Sequence, residues 1–224
     1  MVMVEEKQAI VFVRDEISEL VLLVATDKGA FFYYSDGDRR HWDVNGPHFL
    51  GSVIHHLVLD PRDNKTLLAS VQSRQSGSTI FRSNDFGKTW ISANNPPKFP
   101  KDKLKRSVNH IFHLSPGHDS ESKVWYAGTS PQALFRSEDG GNNWESVDGF
   151  NNNPKWKKWT ANSPDGYPKV PKLHSILIDP MDKKHMYLGM SYGGVFETTD
   201  DGKTWEPLNN GIKVEYLKEA NPAF

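Results

Sequence analysis

The stretch Ser83-Asn84-Asp85-Phe86-Gly87-Lys88-Thr89-Trp90 returns as Ser137-Glu138-Asp139-Gly140-Gly141-Asn142-Asn143-Trp144, and again as Thr198-Thr199-Asp200-Asp201-Gly202-Lys203-Thr204-Trp205. The shared template is Ser/Thr-x-Asp-x-Gly-x-Thr/Asn-Trp. Each copy follows a short apolar run ending in phenylalanine: Ile80-Phe81, Leu134-Phe135 and Val195-Phe196. A worn copy, Ser35 to Trp42, keeps the Ser and Trp but has Gly37, Arg39 and His41 where Asp, Gly and Thr belong. Turn chemistry explains the template. The carboxylates of Asp85, Asp139 and Asp200 can accept backbone N–H groups two or three residues on. Gly87, Gly141 and Gly202 supply the positive φ of a tight connection. Ser83, Ser137 and Thr198 add side-chain-to-backbone bonds, and Trp90, Trp144 and Trp205 start the next strand with a large surface to bury. The acidic residues do not form a calcium loop, which needs a different Asp spacing and a Glu at its twelfth position.

Each turn closes a larger unit. Upstream of Trp90 lie Thr79-Ile80-Phe81-Arg82, Thr66 to Val71 and His55 to Pro61; the runs from His110 and from His174 begin two further units of the same order. With a strand after each Trp, every unit is a four-stranded antiparallel meander, and the fold expected is an all-β propeller. The copies resemble the Asp-box, or BNR, repeat of sialidases, sortilin-type receptors and bacterial BNR-repeat proteins of glycosyl hydrolase type, over about Leu20 to Trp205. One domain is expected: a partial first blade over 1–45, blades at about 46–95, 105–150 and 170–210, and a tail over 211–224. Ala9-Ile10-Val11-Phe12-Val13 is a strand that could complete the first blade. About four blades is few for a closed ring, so an incomplete ring is expected, with homodimerisation as one relief for its open edges.

Composition narrows the function. The 27 basic and 28 acidic residues balance, which argues against a nucleic-acid partner or a membrane surface. No apolar run approaches a membrane span, and charges follow Met1-Val2-Met3-Val4 where a signal peptide needs its apolar core. With no cysteine, disulfides and thiolate chemistry are excluded and a cytoplasmic location is expected.

In a propeller the Asp-box turns share a face with the turns joining strands one and two, while the long inter-blade links enter the innermost strands at the other face. His55, His110 and His174 stand where those links enter, each six residues before a proline. They are expected to line the channel mouth. Adjacent blades would hold the three rings too far apart for zinc, so neither metal nor cofactor is expected. Residues 91–109 carry five basic residues against Asp102, and 151–173 five against Asp165. Arg106 and Lys158, with Trp156 and Trp159, complete the candidate ligand-binding set. An anionic small molecule, an acidic carbohydrate or a protein surface is the expected ligand. The resemblance also implies a test for sialidase machinery, which needs an arginine cluster, a Tyr–Glu pair and an acid/base Asp. Arg82 and Arg136 precede Asp-boxes, Arg39 and Arg40 sit in the worn box and Arg62 in a turn; only Arg14, Arg74 and Arg106 are left. A binding or scaffold protein is therefore the first reading and a glycoside hydrolase of sialidase-like fold the alternative.

Overall fold

The computed structural model describes residues 20–75, 77–99, 106–155, 171–191 and 193–212. The first sheet holds β1 (Leu20–Thr26), β2 (Gly29–Ser35) and β3 (Asp43–His48). The second holds β4 (Val53–Leu59), β5 (Leu67–Ser73), β6 (Gly77–Ser83) and β7 (Ile91–Ser92). In the third are β8 (His110–Pro116), β9 (Trp125–Ser130), β10 (Leu134–Ser137) and β11 (Glu145–Ser146). The fourth consists of β12 (Leu173–Ile178), β13 (Met186–Met190), β14 (Gly194–Thr198) and β15 (Glu206–Pro207). Every sheet is an antiparallel meander in chain order, as the repeats require. Among the described residues one helical turn, α1 (Asp148–Asn151), departs from the strands and turns.

The sheets stack face to face as blades, because the middle strands are apolar on both sides. Between the second and third blades, Leu68 and Ile80 meet Ile111, Leu114, Trp125, Phe135 and Trp144. Tyr126, Leu134 and Phe150 pack against Leu173, Ile176, Met186, Phe196 and Trp205 between the third and fourth. Ile54, Ala69 and Val71 join Ala30 of β2 between the first and second. Gly128 lets the third and fourth blades close in, since a Cβ there would sit 2.6 Å from the Leu173 carbonyl oxygen. Asn151 and Asn209, both buried, bond the backbone at the starts of β10 and β14 (Asn151 through Leu134, Asn209 through Gly193 and Val195).

The inner strands β4, β8 and β12 lie side by side. The second strands β5 and β9 also pack on the following blade's inner strand, and β1 packs on β4 in the same way. β1 therefore occupies the second-strand position, and the strand expected over Ala9 to Val13, like most of the 211–224 tail, lies outside the described residues. Among the described residues no element of the fourth blade packs extensively on the first.

The Asp-box turns form as their residues dictate. Ser83 Oγ donates to Asp85 Oδ1 (2.7 Å) and accepts from the Gly87 N–H (2.7 Å). Asp85 accepts from the Thr89 N–H (2.9 Å) and hydroxyl (2.6 Å). Asp200 takes the same pair from Thr204, and Asp139 takes the backbone N–H and the side-chain amide N–H of Asn143. Gly87, Gly141 and Gly202 have φ of 84°, 93° and 79°. The indoles of Trp144 and Trp205 donate back to the Gly141 and Gly202 carbonyls. In the second, third and fourth blades the residue before the box glycine also donates its N–H to the turn between strands one and two: Phe86 to Lys65, Gly140 to Lys123, Asp201 to Lys184. The boxes and those turns thus share one face. Asp85→Ala is expected to lower the unfolding free energy by about 1–3 kcal/mol, the cost of removing an acceptor of several donors. Urea unfolding measures it, and a mutant as stable as wild type would show that the carboxylate does not organise the turn.

Candidate functional site

The inter-blade links enter β4, β8 and β12 at the face opposite the boxes, and a bulge marks each entry. Pairing runs from Ile54↔Val71 to His56↔Ser70, leaving His55 out. It runs from Ile111↔Thr129 to His113↔Gly128, leaving out Phe112, and from Leu173↔Met190 to Ser175↔Gly189, leaving out His174. His55, Phe112 and His174 are therefore equivalent, and His110 is not their counterpart. The spacing from proline is misleading here because Pro116 lies inside β8, paired with Trp125. The third blade's turn begins only at Gly117, whose N–H bonds Val124 as Asp60 bonds Thr66 and Asp179 bonds His185.

The two-residue offset brings His110 onto His55. Their ring centroids are 4.8 Å apart, and both rings meet one atom: His55 Nε2 and His110 Nδ1 each lie 2.9 Å from Gln72 Oε1. Phe112 lies beside them, 6.3 Å from His55, with the Lys172 ammonium 4.6 Å over its ring. His174 is exposed and bonds Ser175. One step further along the inner strands, His56 and His113 stack at 4.6 Å, and the Leu114 N–H crosses from β8 to His56 Nδ1.

His56, His110 and His113 carry little charge at neutral pH. Burial pushes His56 down; burial, then His55 and Lys172, push His110 down. Burial, then His56 and His174, push His113 to about 4. A folded pKa below the unfolded value contributes stability that is complete above about pH 6.5 and is lost as the pH falls toward 4. For His113 alone the expected loss between pH 7 and pH 4 is about 2 kcal/mol, after discounting for partial exposure. His113→Gln should flatten the acid limb of stability against pH in urea titrations. An unchanged limb would show that His113 is not its source.

Of the other candidates, Arg106 is engaged in scaffolding. Its guanidinium donates to the Asn151 carbonyl (2.8 Å) and to Asn152 Oδ1 (3.1 Å), and lies 4.5 Å over Phe99. Trp156, Lys158 and Trp159 lie outside the described residues. Gln72, Phe112, His56 and His113 join the site without having been singled out. The paired His55-His56 and the spacing His110-x-x-His113 were visible; nothing marked Gln72.

At the box face a cavity of about 380 Å³ separates the third and fourth blades, lined by Tyr126, Arg136, Glu138 and Asp201 among others. Arg136 faces Glu138 at 3.3 Å, Asp201 at 3.5 Å and Glu121 at 3.8 Å. Burial holds the Tyr126 phenol protonated, with its pKa raised to about 12. The arginine pairs with all three carboxylates, and Lys183 also meets Glu121 at 3.0 Å, an arrangement that suits a blade-to-blade tie better than acid–base work. Among the described residues no group of three or more His, Asp or Glu is arranged to hold a metal ion. No described helix is long and apolar enough to cross a membrane.

Stacked four-stranded meanders closed by Ser/Thr-x-Asp-x-Gly-x-x-Trp turns define an Asp-box β-propeller protein, and residues 80–92 match the BNR-Asp box repeat family. The chain is 28% identical over 205 residues to the oligoxyloglucan-reducing end-specific xyloglucanase of Emericella nidulans, covering 88% of this chain and 23% of that protein. A probable enzyme of the same name from Neosartorya fischeri is 27% identical over 198 residues, covering 84% and 22%. The chain thus spans about a quarter of the length of these curated relatives. Among solved structures, the GH74 xyloglucanase of Xanthomonas campestris superposes with a TM-score of 0.59 at 20% identity, over 86% of this chain and 29% of that one.

Proposed function

We propose that this chain works as part of a carbohydrate-active propeller of glycoside hydrolase type, engaging a neutral β-glucan such as xyloglucan at the histidine-bearing face. The observation that carries the reading is the relationship to xyloglucanases along 88% of the chain, which takes in every blade and not the box turns alone. The site chemistry agrees: hydroxyl-rich neutral sugars suit the Gln72 amide and the imidazoles of His56, His110 and His113, whose charged forms burial disfavours.

The described strand starts and hairpins of this face supply recognition rather than hydrolysis. Glycoside cleavage needs a pair of carboxyl groups, about 5–5.5 Å apart for retention and about 6.5–9.5 Å apart for inversion. The inner-strand starts and strand-two-to-three hairpins of the second to fourth blades, 53–56, 72–78, 110–113, 129–133, 172–175 and 190–194, contain no Asp or Glu. The matching β1–β2 turn of the first blade contains Asp27 alone, not a pair. The test is affinity electrophoresis of the chain in gels containing xyloglucan, with a reducing-end assay on the same polymer. Retardation by xyloglucan, and less by pectin, is expected. A chain that migrates unchanged and releases no reducing ends would defeat the reading.

A further inference from the structure

We propose that His55, Gln72 and His110 form a subsite for the adjacent hydroxyls of an uncharged sugar residue. This rests on the glycan reading above and gives it an address at the seam of the second and third blades. Gln72 Oε1 has lone pairs and no hydrogen, so both ring nitrogens that meet it must donate. That fixes two tautomers, Nε2–H on His55 and Nδ1–H on His110. The remaining nitrogens, His55 Nδ1 and His110 Nε2, are then acceptors, and the Gln72 amide keeps two N–H donors. Among the described residues none of these three atoms has a hydrogen-bond partner. The seam therefore presents two acceptors beside a donor.

That combination selects for hydroxyls, each of which gives one hydrogen and accepts on its oxygen. A carboxylate or phosphate offers acceptors alone and would face the imidazole lone pairs unfavourably. Lys172, seated over Phe112, and His55 are the titratable groups among the described residues that act on His110. Phe112 adds an apolar edge for the C–H groups of a sugar ring. Protonating either imidazole turns its acceptor into a donor, so acid should weaken the binding of a neutral sugar and strengthen that of an anion.

The experiment is calorimetric titration of the whole chain with cellotetraose, a xyloglucan oligosaccharide and an oligogalacturonate at pH 7 and pH 4.5. Gln72→Leu and His110→Phe are titrated beside it. Neutral oligosaccharides are expected to bind at pH 7, about tenfold more weakly in either variant and more weakly at pH 4.5. Long-range nitrogen NMR of the wild type needs no variant to fold, and should show the two tautomers named and shifts of both rings on adding the neutral ligand. The opposite tautomers, or a preference for the oligogalacturonate, would overturn the subsite. Neutral binding that both variants retain at full strength would overturn it while leaving the proposed function standing. Absence of binding to every neutral oligosaccharide would sink both.

Discussion

Phe150→Ala is expected to lower the unfolding free energy by about 3–5 kcal/mol, the range for deleting a buried aromatic ring. Phe150 has no exposed surface, although it belongs to a helical turn of four residues. Its ring meets Phe196 edge-on at 6.0 Å and Trp205 at 5.4 Å, and lies in the cluster that joins the third and fourth blades. Collapse of the resulting cavity is hindered on the adjacent side, because Gly149 already touches the backbone of the fourth Asp-box. A Cβ on Gly149 would clash with the Lys203 and Gly202 carbonyl oxygens. Phe150→Leu retains most of the buried volume and should cost clearly less. Urea unfolding gives both values, and the slope with denaturant should stay constant if the fold is retained. A loss under about 1 kcal/mol for the alanine variant would mean that α1 does not anchor the fourth blade.

The fold was legible because its signals are local and repeated. An Asp that closes its turn on later N–H groups, a glycine at positive φ and a tryptophan beginning a strand are all readable within eight residues, and three copies at one place in the meander set the blade. The Asp reaches four residues on, where two or three was expected. Register was not legible, because it depends on where each inner strand admits its bulge. Ser115-Pro116 imitates the Asp60-Pro61 and Asp179-Pro180 turns, yet the chain stays extended to Pro116 and turns only afterwards. His110 was thus assigned to the correct end of the correct strand and to the wrong position on it. Gln72 could not be found from sequence at all, since its role exists only once β5 is set beside two inner strands. Arg106 looked free on a basic link, but its carbonyl partner on Asn151 comes from a turn whose path no local pattern revealed. Contacts across blades are the recurring omission, and the largest of them concerns a residue that looked like an ordinary turn arginine.

Arg62→Ala should destabilise the chain by about 3–5 kcal/mol, the cost of leaving one member of a buried ion pair alone. The Arg62 and Asp60 side chains are 6% and 4% exposed. Arg62 Nε and Nη2 donate to the two carboxylate oxygens at 2.7 and 2.8 Å. Its Nη1 crosses to the third blade and donates to the Glu121 and Val124 carbonyls at 2.8 and 3.1 Å, while the guanidinium lies 5.2 Å from the Trp125 ring centroid. Removing the arginine leaves a buried carboxylate without its cation and takes one donor from each of two carbonyls, Glu121 keeping the Val124 N–H and Val124 the Gly117 N–H. The ion pair itself need not be strongly stabilising, since desolvation offsets much of its attraction. A double-mutant cycle separates these contributions. Arg62→Met should be severely destabilised, and Arg62→Met with Asp60→Asn should regain a large part of that loss because no buried charge remains. If Arg62→Met alone is as stable as wild type, the tie between the second and third blades is apolar contact with Trp125. If the double variant is no better than the single one, the lost carbonyl bonds, and not the stranded carboxylate, set the cost.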